Sequence, residues 1–235
     1  MSLRDYQRKA IEELKRAFKG GATSAVISAA TGTGKSRLFR NVAEGAAEKG
    51  HRSMLIVRGD ALVRQAAQHF RASGLSVGVE MGPMRSSGEQ VVVASVDSLR
   101  GRMDRFNKDD FAGVQIDECH HCMAPSQLRI LADLGFAVPE VSDKGEILES
   151  KTPRETSALL VGYTATPDRG DKLDIMQVFE TVAFEYDIQT AITDGWLVPI
   201  RQEMCVLDGL DLSKVRTAAG DLSASELGKV LEPLI

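Results

Sequence analysis

The eight residues AATGTGKS at 29–36 constrain this chain more than any other stretch. Before them comes SAVISA (24–29), whose small and β-branched residues read as a buried strand. After them, residues 35–49 read as an amphipathic helix ended by Gly50. A strand, a glycine-bearing turn and a helix opened by Lys-Ser form a loop whose backbone amides point inward around phosphate oxygens. The helix N-terminus adds a favourable dipole to the same spot. Gly32 and Gly34 let the backbone come close, Thr31 and Thr33 belong to the same cofactor-binding loop, and Lys35 is placed for the β- and γ-phosphates. The Ser36 hydroxyl is placed for Mg²⁺. The strict pattern opens with glycine, where this chain has Ala29; the tight turns fall at Gly32 and Gly34, so the loop's physics is retained.

The rest of the chain supplies a setting for such a loop. Residues 4–18 form one amphipathic helix pattern, with Tyr6, Ala10, Ile11, Leu14 and Phe18 on one side. Apolar runs at 53–58, 76–80, 91–95, 113–118 and 158–165 read as strands, and 60–72, 96–103 and 125–134 as helices between them. Continuously apolar strands alternating with helices imply an α/β fold with a mostly parallel sheet covered on both faces. Ligands in such sheets bind beyond the carboxyl ends of the strands, so chemistry is expected at 30–36, 117–121 and 164–168. Residues 139–156, polar and holding two prolines, read as a surface excursion. After about 181 the pattern changes: TVAFEYD, a helix at 187–194, then WLVPIRQEMCVL, with a last helical stretch at 221–235.

GVQIDECHH (113–121) puts Asp117 and Glu118 at the end of an apolar strand. A carboxylate there can hold the Mg²⁺ that bridges the phosphates, which suits Asp117, and Glu118 can orient or deprotonate an attacking water. Adjacent acids at a strand end are also a common solvated turn; the phosphate loop upstream is what favours the catalytic reading. Cys119, His120, His121 and Cys122 are a tempting metal cluster, yet a structural zinc site draws its ligands from separated pairs rather than from four consecutive residues. Buried cysteines as small fillers, with His120 as a coupling residue, is the preferred alternative.

With these motifs in view, residues 3–206 resemble the DExH-type helicases and translocases of superfamily 2, in particular the RadD-like and type I and III restriction-motor branch. The resemblance implies a RecA-like P-loop NTPase domain, a three-layer sandwich, over 1–206. LRDYQ (3–7) is similar to the adenine-recognising motif, which implies that Gln7 reads the base edge with Arg4 beside it. AATGTGKS and DECH (117–120) match motifs I and II, and YTATP (163–167) matches motif III. From that match Thr164 and Thr166 would link nucleotide state to nucleic-acid grip, through His120. LIVRGDALVRQ (55–65) resembles motif Ia and SVDSL (95–99) motif Ib, implying strand contacts by Arg64, Gln65, Ser95 and Ser98. Capping serines and a solvated helix face are the plain alternative for those four.

The expected cofactors are therefore ATP and Mg²⁺. The expected partner is DNA, single- or double-stranded and of tolerant sequence, ahead of RNA. The net charge of −4 gives no global basic field, so nucleic acid would have to meet a local basic stripe. No apolar run reaches the ~18 residues of a membrane span, and three cysteines fit a reduced, cytoplasmic setting. Residues 207–235 read as a linker or the start of a following segment. A second RecA-like domain is expected as partner in a longer protein, and a stand-alone nucleotide- and nucleic-acid-binding regulator is the alternative.

Overall fold

The computed structural model describes residues 3–165 and 175–202, together with 212, 215, 217–218, 221–222 and 224–231. The chain divides into two compact units, Met1–Val198 and Pro199–Ile235.

The larger unit opens with helix α1 (Asp5–Lys19), whose side chains Tyr6, Gln7, Ala10, Ile11 and Leu14 are buried. Then follow β1 (Ser24–Ala29), α2 (Lys35–Ala47), β2 (Ser53–Val57), α3 (Asp60–Arg71), β3 (Val77–Glu80), β4 (Val91–Ser95), the single turn α4 (Val96–Leu99), β5 (Gly113–Asp117) and α5 (Pro125–Asp133). The polar stretch after α5 is not simply an open excursion. It folds into an antiparallel hairpin of β6 (Pro139–Val141) and β7 (Ile147–Lys151), turned at Gly145 with φ 86°. Most side chains of β7 face solvent, which hid the pairing; Pro139, Val141 and Ile147 turn toward the core, and the ribbon leans on α5.

Strand β8 (Leu159–Thr164) and strand β9 (Thr181–Tyr186) complete the sheet, and helix α6 (Ile188–Thr193) follows. The central sheet has seven strands in the order β3-β4-β2-β5-β8-β1-β9, every neighbouring pair parallel. Strands β1, β2 and β4 are buried along their whole length, as parallel strands covered on both faces must be. One apolar cluster joins the sheet to α1, α2 and α3; a second, around Leu128, Leu131 and Phe179, fills the opposite face. The result is the three-layer α/β sandwich of RecA-like domains.

In the smaller unit the described residues comprise an antiparallel pair, β10 (Thr217–Ala218) with β11 (Asp221–Leu222), and helix α7 (Ala224–Leu231). Among the described residues no helix is long and apolar enough to cross a membrane.

Candidate nucleotide-binding site

Strand order decides which residues can meet. Because β8 lies between β1 and β5, the carboxyl ends of these three strands form one row: Ser28 pairs with Thr164, and Tyr163 with Asp117. The phosphate loop leaves β1, and the acidic pair ends β5. Gly32 and Gly34 both have φ 85°, the left-handed region that glycine enters without steric cost. Between them Thr33 is buried and turns its hydroxyl inward, donating to the Ala30 carbonyl at 2.6 Å. Thr31 and Gly32 are exposed at the loop's rim.

A cavity of about 280 Å³ opens at this row, lined by Gly32, Gly34, Lys35, Ser36 and Asp117 from the predicted set and by Leu62, Gln65 and His69 on α3. Lys35 Nζ lies 3.6 Å from Glu118 Oε1 and 3.4 Å from the Ala29 carbonyl. Both contacts are long, so the ammonium is held near the site without being locked by a tight partner. Burial pushes the Asp117 carboxyl above its ordinary range, the neighbouring Glu118 charge adds to that, and Lys35 opposes it. A hydroxyl and a carboxylate on one cavity wall are hard oxygen donors, a set that fits Mg²⁺, which keeps several of its own waters.

Glu118 carries the one positive φ outside glycine among the described residues, at 50°. A left-handed backbone costs an ordinary residue ~1–2 kcal/mol, and such outliers gather where a site requires a particular aim. The turn is braced by the Glu118 N–H donating to Asp117 Oδ1 at 3.0 Å. It aims one carboxylate oxygen at Lys35 and the other at His120 Nδ1, 3.3 Å away. The same His120 nitrogen lies 2.9 Å from Thr164 Oγ1, so the ring stands between the acid and the end of β8. Thr166, expected to share that coupling role, lies outside the described residues.

Gln7 is fully buried beneath the loop. Its amide donates to the Thr33 and Gly34 carbonyls at 3.1 and 3.4 Å, and its carbonyl accepts from the Arg4 N–H at 3.0 Å. A Cβ on Gly34 would come within 2.9 Å of that amide, which ties the glycine to the glutamine as well as to its φ. Tyr6 adds a hydrogen bond from its hydroxyl to the Thr33 carbonyl. Helix α1 thus props the loop from below, a link that no local pattern in either segment reveals.

The residues expected at a nucleic-acid strand separate. Arg64 is exposed on α3. Gln65 falls on the helix face that lines the nucleotide cavity. Ser95 is buried and caps α4, its Oγ accepting from the Ser98 N–H at 3.2 Å, which leaves it no surface for a strand to touch. The Ser98 hydroxyl accepts from the Gly82 N–H at 3.2 Å. Cys119 and Cys122 are buried in the core on the α5 face, as small fillers. Burial pushes both thiols up, Cys122 to about 12. Reasoning from the sequence missed Trp196 and Leu197, which follow α6: Leu197 Cδ2 would sit 3.2 Å from a Cβ on Gly32, and Trp196 packs on Arg4. The Gly-Trp after a short helix was the available signal.

A phosphate loop, an acidic strand end and a histidine–threonine link on one row of a parallel sheet have the arrangement of a RecA-like P-loop domain. Comparison with known proteins makes this particular: the chain belongs to the family described as "Type III restriction enzyme, res subunit", whose model matches residues 1–169. A Saccharomyces cerevisiae relative named as an ATP-dependent helicase, IRC3, is 28% identical over 97% of this chain and 32% of its own length. Its Schizosaccharomyces pombe namesake, named as mitochondrial, is 30% identical over 84% of this chain and 31% of its own. The chain therefore spans about a third of the length of these curated relatives. Among solved structures, the Sulfolobus solfataricus SWI2/SNF2 ATPase core in complex with double-stranded DNA superposes with a TM-score of 0.57 at 17% identity, covering 100% of this chain and 44% of that one.

Proposed function

We propose that this chain is the ATP-binding half of a nucleic-acid-dependent motor, a helicase or translocase that couples ATP hydrolysis to movement along DNA. The observation that carries the reading is the convergence of Lys35, Ser36 and Asp117 on one cavity, with Glu118 3.6 Å from Lys35 and His120 linking Glu118 to Thr164. In this reading Lys35 neutralises the β- and γ-phosphates, and Ser36 with Asp117 holds Mg²⁺. The chemistry that ion would supply there is positive charge against the phosphates. Glu118 orients the attacking water and accepts its proton. His120, Thr164 and Thr166 pass the state of that carboxylate to the nucleic-acid side. Arg64 and Ser98 contact backbone phosphate, so binding is tolerant of sequence and weakens steeply with salt. DNA is favoured over RNA because the superposed Sulfolobus core is a complex with double-stranded DNA. The free thiols of Cys119 and Cys122 suit a reducing compartment such as the cytoplasm.

The first RecA-like domain extends, in our reading, to about residue 206. A second one, in a longer protein, closes the cleft and brings an arginine to the γ-phosphate, which is worth ~10³–10⁵ in rate. The test is kcat for this 235-residue chain beside that of the complete gene product, both with saturating DNA. The chain should bind nucleotide and turn over slowly. Comparable DNA-stimulated rates would overturn the half-motor reading.

A further inference from the structure

Trp196 is the only tryptophan of the chain and is 42% exposed. It is nevertheless firmly placed. Gly195, at φ 74°, ends α6, and the N–H groups of Trp196 and Leu197 both donate to the Ala191 carbonyl, at 2.9 and 3.0 Å. One face of the indole is covered by the Arg4 guanidinium, 4.3 Å from the ring centroid. Tyr6 meets the indole edge-on at 5.9 Å and itself stacks on Tyr186 at 4.3 Å with 7° between planes. Arg4 Nη1 donates to Tyr6 Oη at 3.2 Å, and Tyr6 Oη donates to the Thr33 carbonyl. Two hydrogen bonds therefore connect the guanidinium on the indole to the backbone of the phosphate loop.

We propose that Trp196 is a positioning residue for nucleobase recognition: its ring holds the Arg4 guanidinium flat beside the phosphate loop, so that the opposite face of the guanidinium stacks on the purine of a bound nucleotide. The proposal rests on the nucleotide reading above and deepens it. A guanidinium is planar, delocalised and weakly hydrated, so an aromatic face holds it well, and nucleobases stack on guanidinium planes as they do on aromatic rings. Arginine is otherwise a flexible side chain that would have to be ordered on binding. With Trp196 behind it, that ordering is already done. The phosphates are bound elsewhere, by the loop and Lys35, so base and phosphate contributions can be separated.

The experiment titrates Mg²⁺-ADP and Mg²⁺-pyrophosphate into the wild-type chain, Trp196→Ala and Trp196→Phe by calorimetry. Trp196→Ala should weaken ADP by about two- to thirty-fold and leave pyrophosphate unchanged, and Trp196→Phe should recover most of the loss. In the wild type, tryptophan fluorescence should respond to ADP and not to pyrophosphate. An ADP affinity unchanged in Trp196→Ala overturns the proposal. So does a parallel loss of ADP and pyrophosphate, which would mark Trp196 as a support of the loop. A wild-type chain that binds pyrophosphate as tightly as ADP overturns base recognition and leaves the phosphate site standing; one that binds neither overturns the nucleotide reading and this inference with it.

Discussion

Lys35→Ala is the perturbation whose size the structure determines best. In a nucleotide complex the ammonium makes a charge-assisted hydrogen bond to phosphate, a class worth ~1.5–3 kcal/mol net. What the side chain gives up to make it is small: the Glu118 contact is 3.6 Å long and the Ala29 carbonyl 3.4 Å away, neither a strong hydrogen bond. Most of the new bond's energy should therefore appear as affinity, and its loss should weaken Mg²⁺-ADP binding about 10- to 150-fold. The variant also leaves Asp117 and Glu118 without their opposing cation, which raises the already elevated Asp117 carboxyl further. Isothermal titration at fixed salt and pH reads the affinity, and a thermal melt confirms that the fold is retained. A folded Lys35→Ala chain that binds within about two-fold of wild type would refute the argument, because no phosphate contact of the expected class could then exist.

Glu118→Gln keeps the shape of the side chain and removes its basicity, so nucleotide binding should persist while DNA-stimulated turnover of the complete gene product falls ~10²–10⁴-fold, measured by phosphate release. Because the Asp117 carboxyl is raised, a proton competes with Mg²⁺ for it at a higher pH than for an ordinary carboxylate. Mg²⁺-dependent nucleotide affinity should therefore fall early on acidification, and Asp117→Asn should flatten that dependence in calorimetric titrations across pH. Glu80 shows the opposite sign. Burial opposes its ionisation, but hydrogen bonds from Ser86 and Arg102 and the Arg105 charge win and hold its carboxyl low, so its stabilising contribution is present above the unfolded-state pKa and is lost as pH falls through the folded one. Glu80→Gln should lower the melting temperature at neutral pH, with the gap from wild type closing in acid. A Cβ on Gly162 would lie 2.6 Å from Phe179 Cζ and 2.7 Å from Cys119 Sγ, so Gly162→Ala should cost ~1–3 kcal/mol in denaturant titrations.

Much of this site is local in sequence and could be read there. The loop at 29–36 announces itself because the strand, the glycines and the helix are contiguous, and Asp117 stands out as an acid ending an apolar run. What escaped depends on contacts between distant segments. Strand β9 has an exposed Glu185 and half-buried Thr181, Val182 and Ala183, so its own pattern is weak; it becomes a sheet strand by pairing with β1. Ser95 was indistinguishable from a strand-binding serine until β4 was seen to end on it and α4 to begin. Gln65 and Arg64 are adjacent in sequence, and only the rotation of α3 puts Gln65 on the nucleotide cavity. Gln115 and Tyr163 are a buried polar pair at 2.9 Å, linked through the Phe39 carbonyl to α2, behind the loop. Neither residue signals a partner in its own segment.

In the half-motor reading, hydrolysis at this site answers to nucleic acid. The most direct measurement is the ATP turnover rate of the complete gene product without nucleic acid and with duplex DNA, single-stranded DNA or RNA at saturation. The expected result is a low basal rate that rises strongly with DNA and disappears in Lys35→Ala. A rate that stays the same whichever nucleic acid is added would contradict it.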